Sequence, residues 1–384
     1  MPTSFTDTAG MLAELAPSEP VYCLYPHVFS RVAREFVAGF PGRVLYAVKA
    51  NNRPEILRWL HEAGIHHFDT ASIPEIALVH EVCPAAECYF MAPVRLRGAA
   101  GRAYREYAVR HFVVDHEDEL ENILRETQSS DLTIFVRMAA HDRDATYDLS
   151  TKFGASPEDA GALLRGVREA GATAALAFNV GSLVLKPGAY ARALGACAKV
   201  LESAGVDIRL LDIGGGFPSP YPGVGTARLE EFFAAIAEAR EALPLPEGAQ
   251  LLGEPGRALV AEGVSVVAQV LLRKPGRLYL NDGIWGSFIE PFLSKGLVRY
   301  PTRTYRGGEL LEEELAPFTL YGPTCDSLDT FPAPFPLPHS IRAGDWVEFG
   351  MMGAYSVTNR TGFNGFYPDH FVTIDNPMAF PPAP

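Results

Sequence analysis

From Arg43 to about Arg257 the chain repeats one alternation eight times: a short β-branched and aliphatic run, then a longer stretch with apolar residues at helical spacing. The strand candidates are VLYAVK (44–49), HHFDTA (66–71), CYFMAP (88–93), HFVVD (111–115), TIFVRM (133–138), ALAFNVGS (175–182), RLLDIGGG (209–216) and QLLGEPGR (250–257). Between them lie helix candidates such as 54–64, 74–82, 117–126 and 159–171, each with an apolar stripe. Eight strand–helix pairs predict an α/β fold, a (β/α)₈ TIM-like barrel with its active site at the C-terminal strand ends. A doubly wound open sheet gives the same alternation. Lys49, Asp69, Ser182, Gly214–Gly216 and Glu254–Arg257 all fall at or just past such ends.

After Arg257 the pattern becomes short alternating apolar runs at 259–274, 277–282, 345–350, 353–358 and 370–375, with frequent Pro and Gly. These predict an all-β, antiparallel C-terminal domain, a sandwich or small barrel, joined by PVYCLY (20–25). A chain of 384 residues has room for both parts. The expected organisation is an N-terminal segment over 1–26 that contributes to the β domain, a barrel over 27–258 and the β domain over 259–384. No internal repeat is visible. The Pro-rich 332–338 and the tail PPAP read as loops.

A formal net charge of −13 would repel a phosphate backbone or an anionic membrane surface, so neither nucleic acid nor membrane is expected as partner. Five scattered cysteines without a CxxC pair fit reduced thiols rather than zinc ligands. The N-terminus lacks a basic n-region and an apolar h-region, and no apolar run reaches about 18 residues. A cytoplasmic protein is expected.

The chemistry-bearing residues have plain readings beside functional ones. Lys49 closes an apolar strand; it is either a capping surface lysine or a desolvated amine nucleophilic toward an aldehyde. LLDIGGGFP sets three glycines after a strand, forming a tight turn or a backbone cup for phosphate. It has neither G-x-G-x-x-G spacing nor the GK[ST] of a P-loop. In GEPGR, Glu254 and Arg257 form an ordinary ion pair, or Glu254 takes a proton from a cofactor's ring nitrogen. GPTCDSLD places the thiol of Cys325 beside Asp326 in a turn-rich segment, where a buried small cysteine is an equal alternative.

In their order and spacing, YAVKANN, FDTAS, FNVGS, LLDIGGGFP, GEPGR, LNDGIWGSF, GPTCDSLD and GAYSVTNRTGFNGF resemble the alanine-racemase-fold (fold type III) pyridoxal-5'-phosphate (PLP) enzymes. Within that group the likeness is to the decarboxylases of ornithine, lysine, arginine and diaminopimelate, above all the ornithine/lysine ones. The resemblance spans nearly the whole chain. It implies that Lys49 holds the cofactor as a Schiff base, with Asp69 nearby and Glu254 on the pyridine nitrogen. Ser182, Gly214, Gly215, Gly216, Gly256 and Arg257 would surround the phosphate, joined by Tyr355, and Arg137 would lie near the 3'-oxygen. Cys325 would be the acid that returns a proton after carbon dioxide leaves, and Asp326 would bind the substrate's distal group. In the family these two come from the partner subunit, which implies a homodimer with shared active sites.

Two departures bear on substrate. Asn179 stands where the family carries a histidine packed on the cofactor ring. In GSFIEPFLSKGLVRY, the aspartate that holds a distal ammonium in ornithine decarboxylases aligns with Ser294 or Lys295, and Glu290 stands close to where diaminopimelate decarboxylases have an arginine. Glu290 would restore attraction for an amine; Lys295 would favour an anionic or bulkier substituent. Phe363 is a further candidate substrate contact. The leading expectation is α-decarboxylation of a basic or diamino acid, in polyamine-type amino-acid metabolism. The alternative is a substituted or acidic amino-acid conjugate of siderophore or secondary metabolism. Weaker readings are a racemase, which would want a tyrosine where Cys325 stands, and an inactive cofactor-binding homologue.

Overall fold

The computed structural model describes residues 2–140, 145–147, 150–376 and 380. The chain divides into two compact units. One comprises Ala33–Pro218 and Thr226–Leu259; the other gathers the N-terminal residues to Val32, Ser219–Gly225 and the chain from Val260 onward.

The first unit is a closed parallel barrel. Its strands are β1 Arg43–Ala47, β2 His67–Thr70, β3 Glu87–Phe90, β4 His111–Val114, β5 Thr133–Met138, β6 Thr173–Phe178, β7 Leu210–Asp212 and β8 Gln250–Gly253. Each pairs with its successor, and β8 returns to β1 with Leu252 opposite Arg43 and Gly253 opposite Val44. That closing pair decides between the barrel and the open sheet. Helices connect the strands, and their starts are legible in the sequence. Ser72 and Ser156 cap the helices Ile73–Val82 and Pro157–Glu169 by accepting the N–H of Glu75 and Asp159. The helix Ala99–Tyr107 begins at Gly98, which has no capping side chain; the Glu126 carboxylate from the next helix accepts the N–H groups of Gly98, Ala100 and Gly101 instead.

Parallel strands alternate their side chains in and out with a period of two. Inward positions Leu45, Tyr89, Met91, Val113, Phe135, Ala175, Ala177 and Leu252, with Leu210 packed on them, form one apolar core cluster. A two-residue step further toward the C-terminal mouth reaches Asp115, Arg137, Asn179, Asp212 and Glu254, and Lys49 and Asp69 stand near the C-terminal ends of β1 and β2. An apolar floor carries a polar ceiling.

Among the described residues the second unit forms a ten-stranded, mostly antiparallel sheet. Val264–Lys274 is its spine, pairing antiparallel with Val21–Leu24, Arg277–Leu280 and Trp346–Phe349. The expected antiparallel pairing dominates, with three parallel pairs beside it: Thr3–Phe5 and Val21–Leu24 each run parallel to His370–Ile374, and Arg277–Leu280 runs parallel to Leu315–Tyr321. Two local expectations are corrected. The run 353–358 is a turn, because Met351 and Tyr355 have φ of 58° and 64° and a Cβ on Gly353 would lie 1.6 Å from Val260 O. Within the Pro-rich 332–338, Phe335–Pro338 forms a strand at the end of the sheet path, where a missing proline N–H is tolerated. The tail PPAP, 381–384, lies outside the described residues. Among the described residues no helix is long and apolar enough to cross a membrane.

Candidate active site

Lys49 sits in a 3₁₀ turn, Val48–Ala50, immediately after β1. Its Nζ donates to Asp69 Oδ2 at 2.7 Å; the lysine side chain is half exposed, the aspartate buried. The charge pair thus presents an amine at the mouth, held from behind. Gly256 seats the segment after β8 against the same turn, since a Cβ there would meet Ala50 Cβ at 2.8 Å and Ala47 Cβ at 3.3 Å.

The three-glycine run is built for close approach of backbone. Gly214 and Gly216 have φ of 69° and 100°. A Cβ on Gly214, Gly215 or Gly216 would stand 2.5, 2.6 or 2.7 Å from the carbonyl oxygens of Phe178, Glu254 and Gly181 respectively. Only glycine lets the segments after β6, β7 and β8 converge here. Their cross-links are Glu254 N–H to Gly214 O at 2.8 Å, Val184 N–H to Gly216 O at 2.9 Å and Tyr190 OH to Gly215 O at 2.7 Å. Half-buried Ser182 begins the short strand Ser182–Val184, and the buried Arg257 opens the turn that follows β8. Asn179 spends its side-chain oxygen on Gly181 N–H, 2.9 Å away.

The mouth is rich in carboxyls. Asp212 is buried, and its Oδ1 accepts Gly214 N–H at 2.8 Å. Burial pushes the Asp212 carboxyl up to about 7, opposed by the Gly214 N–H and by its side-chain interaction with Glu254; the Asp69 charge adds to the shift and Lys49 opposes it. Glu254 is raised well above the carboxylate range, by burial first and then by Asp212 and Asp69. Asp115 accepts Gly154 N–H at 2.8 Å. Arg137 is lowered by burial, opposed by Glu254, Asp115, Asp69 and Asp212. Asp212 and Asp115 are missing from the residues singled out in the sequence, although a two-residue step from Leu210 and from Val113 reaches them.

This arrangement fits PLP on its own chemistry. A run of glycine backbone free of side chains at the strand ends, with a buried arginine opening the turn after β8, suits a phosphate; an exposed amine suits an aldehyde; a buried carboxyl with high proton affinity suits a ring nitrogen.

The remaining candidates lie in the second unit. Cys325 is the exposed cysteine of the five, and its Sγ contacts Asn364 Oδ1 at 3.2 Å. Asp326 Oδ1 accepts Leu328 N–H at 2.9 Å within its own turn. Phe363 is exposed, with its ring centroid 5.6 Å from that of Trp285. Tyr355 is half-buried. On the short helix Ile289–Leu293 Glu290 is buried, Ser294 Oγ accepts Val298 N–H at 3.0 Å, and Lys295 is exposed with φ 53°.

The pyridoxal binding domain of the pyridoxal-dependent decarboxylases matches residues 27–261. The lysine/ornithine decarboxylase of Selenomonas ruminantium is 34% identical over 84% of this chain and 81% of its own length. The decarboxylase flvG of Aspergillus flavus is 30% identical over 84% and 78%. Among solved structures, the arginine decarboxylase of Paramecium bursaria Chlorella virus superposes with a TM-score of 0.84 at 26% identity, covering 95% of this chain and 98% of that one. With the pyridoxal module spanning more than half of its length, the chain belongs to the fold type III pyridoxal-dependent amino-acid decarboxylases.

Proposed function

We propose that the protein uses PLP to remove the α-carboxylate from a basic or diamino acid, giving an amine and carbon dioxide. The observation that carries this is the barrel mouth, where one amine, a glycine cradle and a protonatable carboxyl pair stand on the ends of β1, β7 and β8. When bound, the cofactor supplies an electrophilic aldehyde carbon and an electron-withdrawing pyridine ring.

The chain's own residues do the rest. Lys49 anchors the cofactor, with Asp69 orienting its Nζ. Gly214, Gly215, Gly216, Gly256, Ser182, Arg257 and Tyr355 take the phosphate, and Arg137 and Asn179 flank the ring. Glu254 holds a proton toward the ring nitrogen, its affinity for that proton raised by burial. Cys325 Sγ delivers the proton that replaces the carboxylate, and Asp326 draws the distal ammonium. We assign these last two to the partner subunit of a homodimer, and we place the enzyme in the cytoplasm, in keeping with its free cysteines.

A panel of L-ornithine, L-lysine, L-arginine and meso-diaminopimelate, incubated with the holoenzyme and read by mass spectrometry, tests the substrate class. The amine of at least one of the first three is expected. Absence of carbon dioxide from all four overturns the assignment. A second reading, decarboxylation of a substituted or acidic amino acid, is favoured by Lys295 standing exposed beside the buried Glu290 and Ser294. Turnover confined to side-chain-substituted or acidic amino acids with a free α-amine in an extended panel would establish it.

A further inference from the structure

The loop that carries Cys325 is a closed clasp. Asp329, almost fully buried, accepts Thr324 Oγ1–H at 2.6 Å, Thr324 N–H at 3.1 Å and Ile284 N–H at 2.8 Å. Its own N–H and carbonyl tie the loop to Asp326 O and Gly322 N, both at 3.0 Å. A Cβ on Gly322 or Gly283 would meet the Asp329 carboxylate at 2.2 or 2.1 Å, so the small residues are what let the clasp shut. Cys325 stands exposed on it, as do Ser327 and Leu328.

Cys325 is held from one side by Asn364. The amide oxygen Oδ1 lies 3.1 Å from Cys325 N and 3.2 Å from Cys325 Sγ. Asn364 has φ 54°, within a turn over 361–366 that Thr361 pins to Trp285 O through its N–H at 2.9 Å and its hydroxyl at 2.8 Å. Glycine would satisfy this left-handed backbone at less cost; asparagine is the residue that tolerates the conformation and also brings an amide oxygen. The polarity of the contact is set by the backbone. Cys325 N–H can only donate, so the atom facing it must be Oδ1 and not the amide NH₂. The same oxygen faces Sγ, so the thiol must donate as well.

We propose that Asn364 is a positioning residue for the Cys325 proton donor, its amide oxygen holding Sγ in one rotamer through the S–H contact and releasing that hydrogen bond when the proton is delivered. This rests on the reading of Cys325 as the acid. With the Cys325 N–H and S–H both donating to one amide oxygen, the contact limits the rotamers the thiol visits.

The other four cysteines are buried, so iodoacetamide alkylation of the native holoenzyme, located by peptide mapping, reports on Cys325. The thiolate is the species that reacts. Asn364→Gly keeps the backbone conformation and removes the acceptor; it should be alkylated about two- to tenfold faster at fixed pH, the span expected for loss of one neutral hydrogen bond. Asn364→Asp keeps the acceptor and adds a charge; it should be alkylated more slowly than the parent. Opposite directions are the signature. If both variants react faster, Asn364 merely props the loop; if neither rate changes, the contact does not govern the thiol. Either outcome overturns the proposal. Cys325→Ser, assayed for product formation, tests the acid role separately. Full decarboxylation by that variant would remove the acid role without altering the alkylation rates.

Discussion

Replacing Asp212 by asparagine should stabilise the cofactor-free protein near pH 8 and leave it almost unchanged near pH 4. The Asp212 carboxyl is buried at the end of β7 and pushed up to about 7 from an ordinary 3.8. An acid with a raised value in the fold holds its proton more tightly folded than unfolded. Stability is therefore greatest below the unfolded value and declines as pH rises toward the folded one. The retained proton belongs to the Asp212–Glu254 pair rather than to either carboxyl, so the gain is set by the ordinary cost of an incompletely compensated buried polar group, about 1–3 kcal/mol, or roughly 2–12 °C in Tm for a unit of this size. Asparagine can still accept the Gly214 N–H, so the loop geometry is retained. The assay is thermal unfolding by circular dichroism from about pH 4 to pH 8, in buffers without phosphate, which would compete for the glycine cradle. Melting curves offset by the same amount at every pH would refute the reasoning, because they would mean that the charge on Asp212 is not what the fold pays for.

Two further outcomes follow from the barrel. The Glu87 carboxylate, taken by His111 Nε2 at 2.8 Å and His67 Nδ1 at 3.1 Å, is held well below its usual 4.5 by those hydrogen bonds. It stabilises the fold above that value, so Glu87→Gln should melt lower at neutral pH and the gap should narrow on acidification; a gap that widens in acid contradicts this. Gly216→Ala puts a Cβ 2.7 Å from Gly181 O at φ 100°, so affinity for PLP, measured by fluorescence titration, should fall at least about tenfold. Gly223→Ala, at φ 74° with no atom within 4 Å, should leave that affinity intact.

The barrel was legible because its strands are buried on both faces. Runs such as TIFVRM and ALAF carry no polar alternation, and helices with serine caps separate them. The second unit was harder to read. GAYSVT alternates as a strand would, but its course is decided by the contact of Gly353 with Val260 O, which is distant in sequence. FPLP looked like a loop because proline lacks a donor, yet it pairs on one side only, with Leu315–Tyr321. In both cases tertiary placement overrides local propensity.

The site divided along a different line. Lys49, Glu254 and the glycines were found as motifs, each unusual in its own stretch. Asp212 inside LLDIGGG carries no such signal, since a lone aspartate ending a strand is commonplace. Its importance lies in what the barrel brings around it. Four carboxyls, Asp69, Asp115, Asp212 and Glu254, face two cations, Lys49 and Arg137, above an apolar floor. Such a layer cannot be fully ionised without burying excess negative charge, so a proton is retained on the Asp212–Glu254 pair near neutrality. Under the proposed function that proton is the one a cofactor's ring nitrogen calls for, and it is held there by the pairing of β7 with β8 rather than by any single motif.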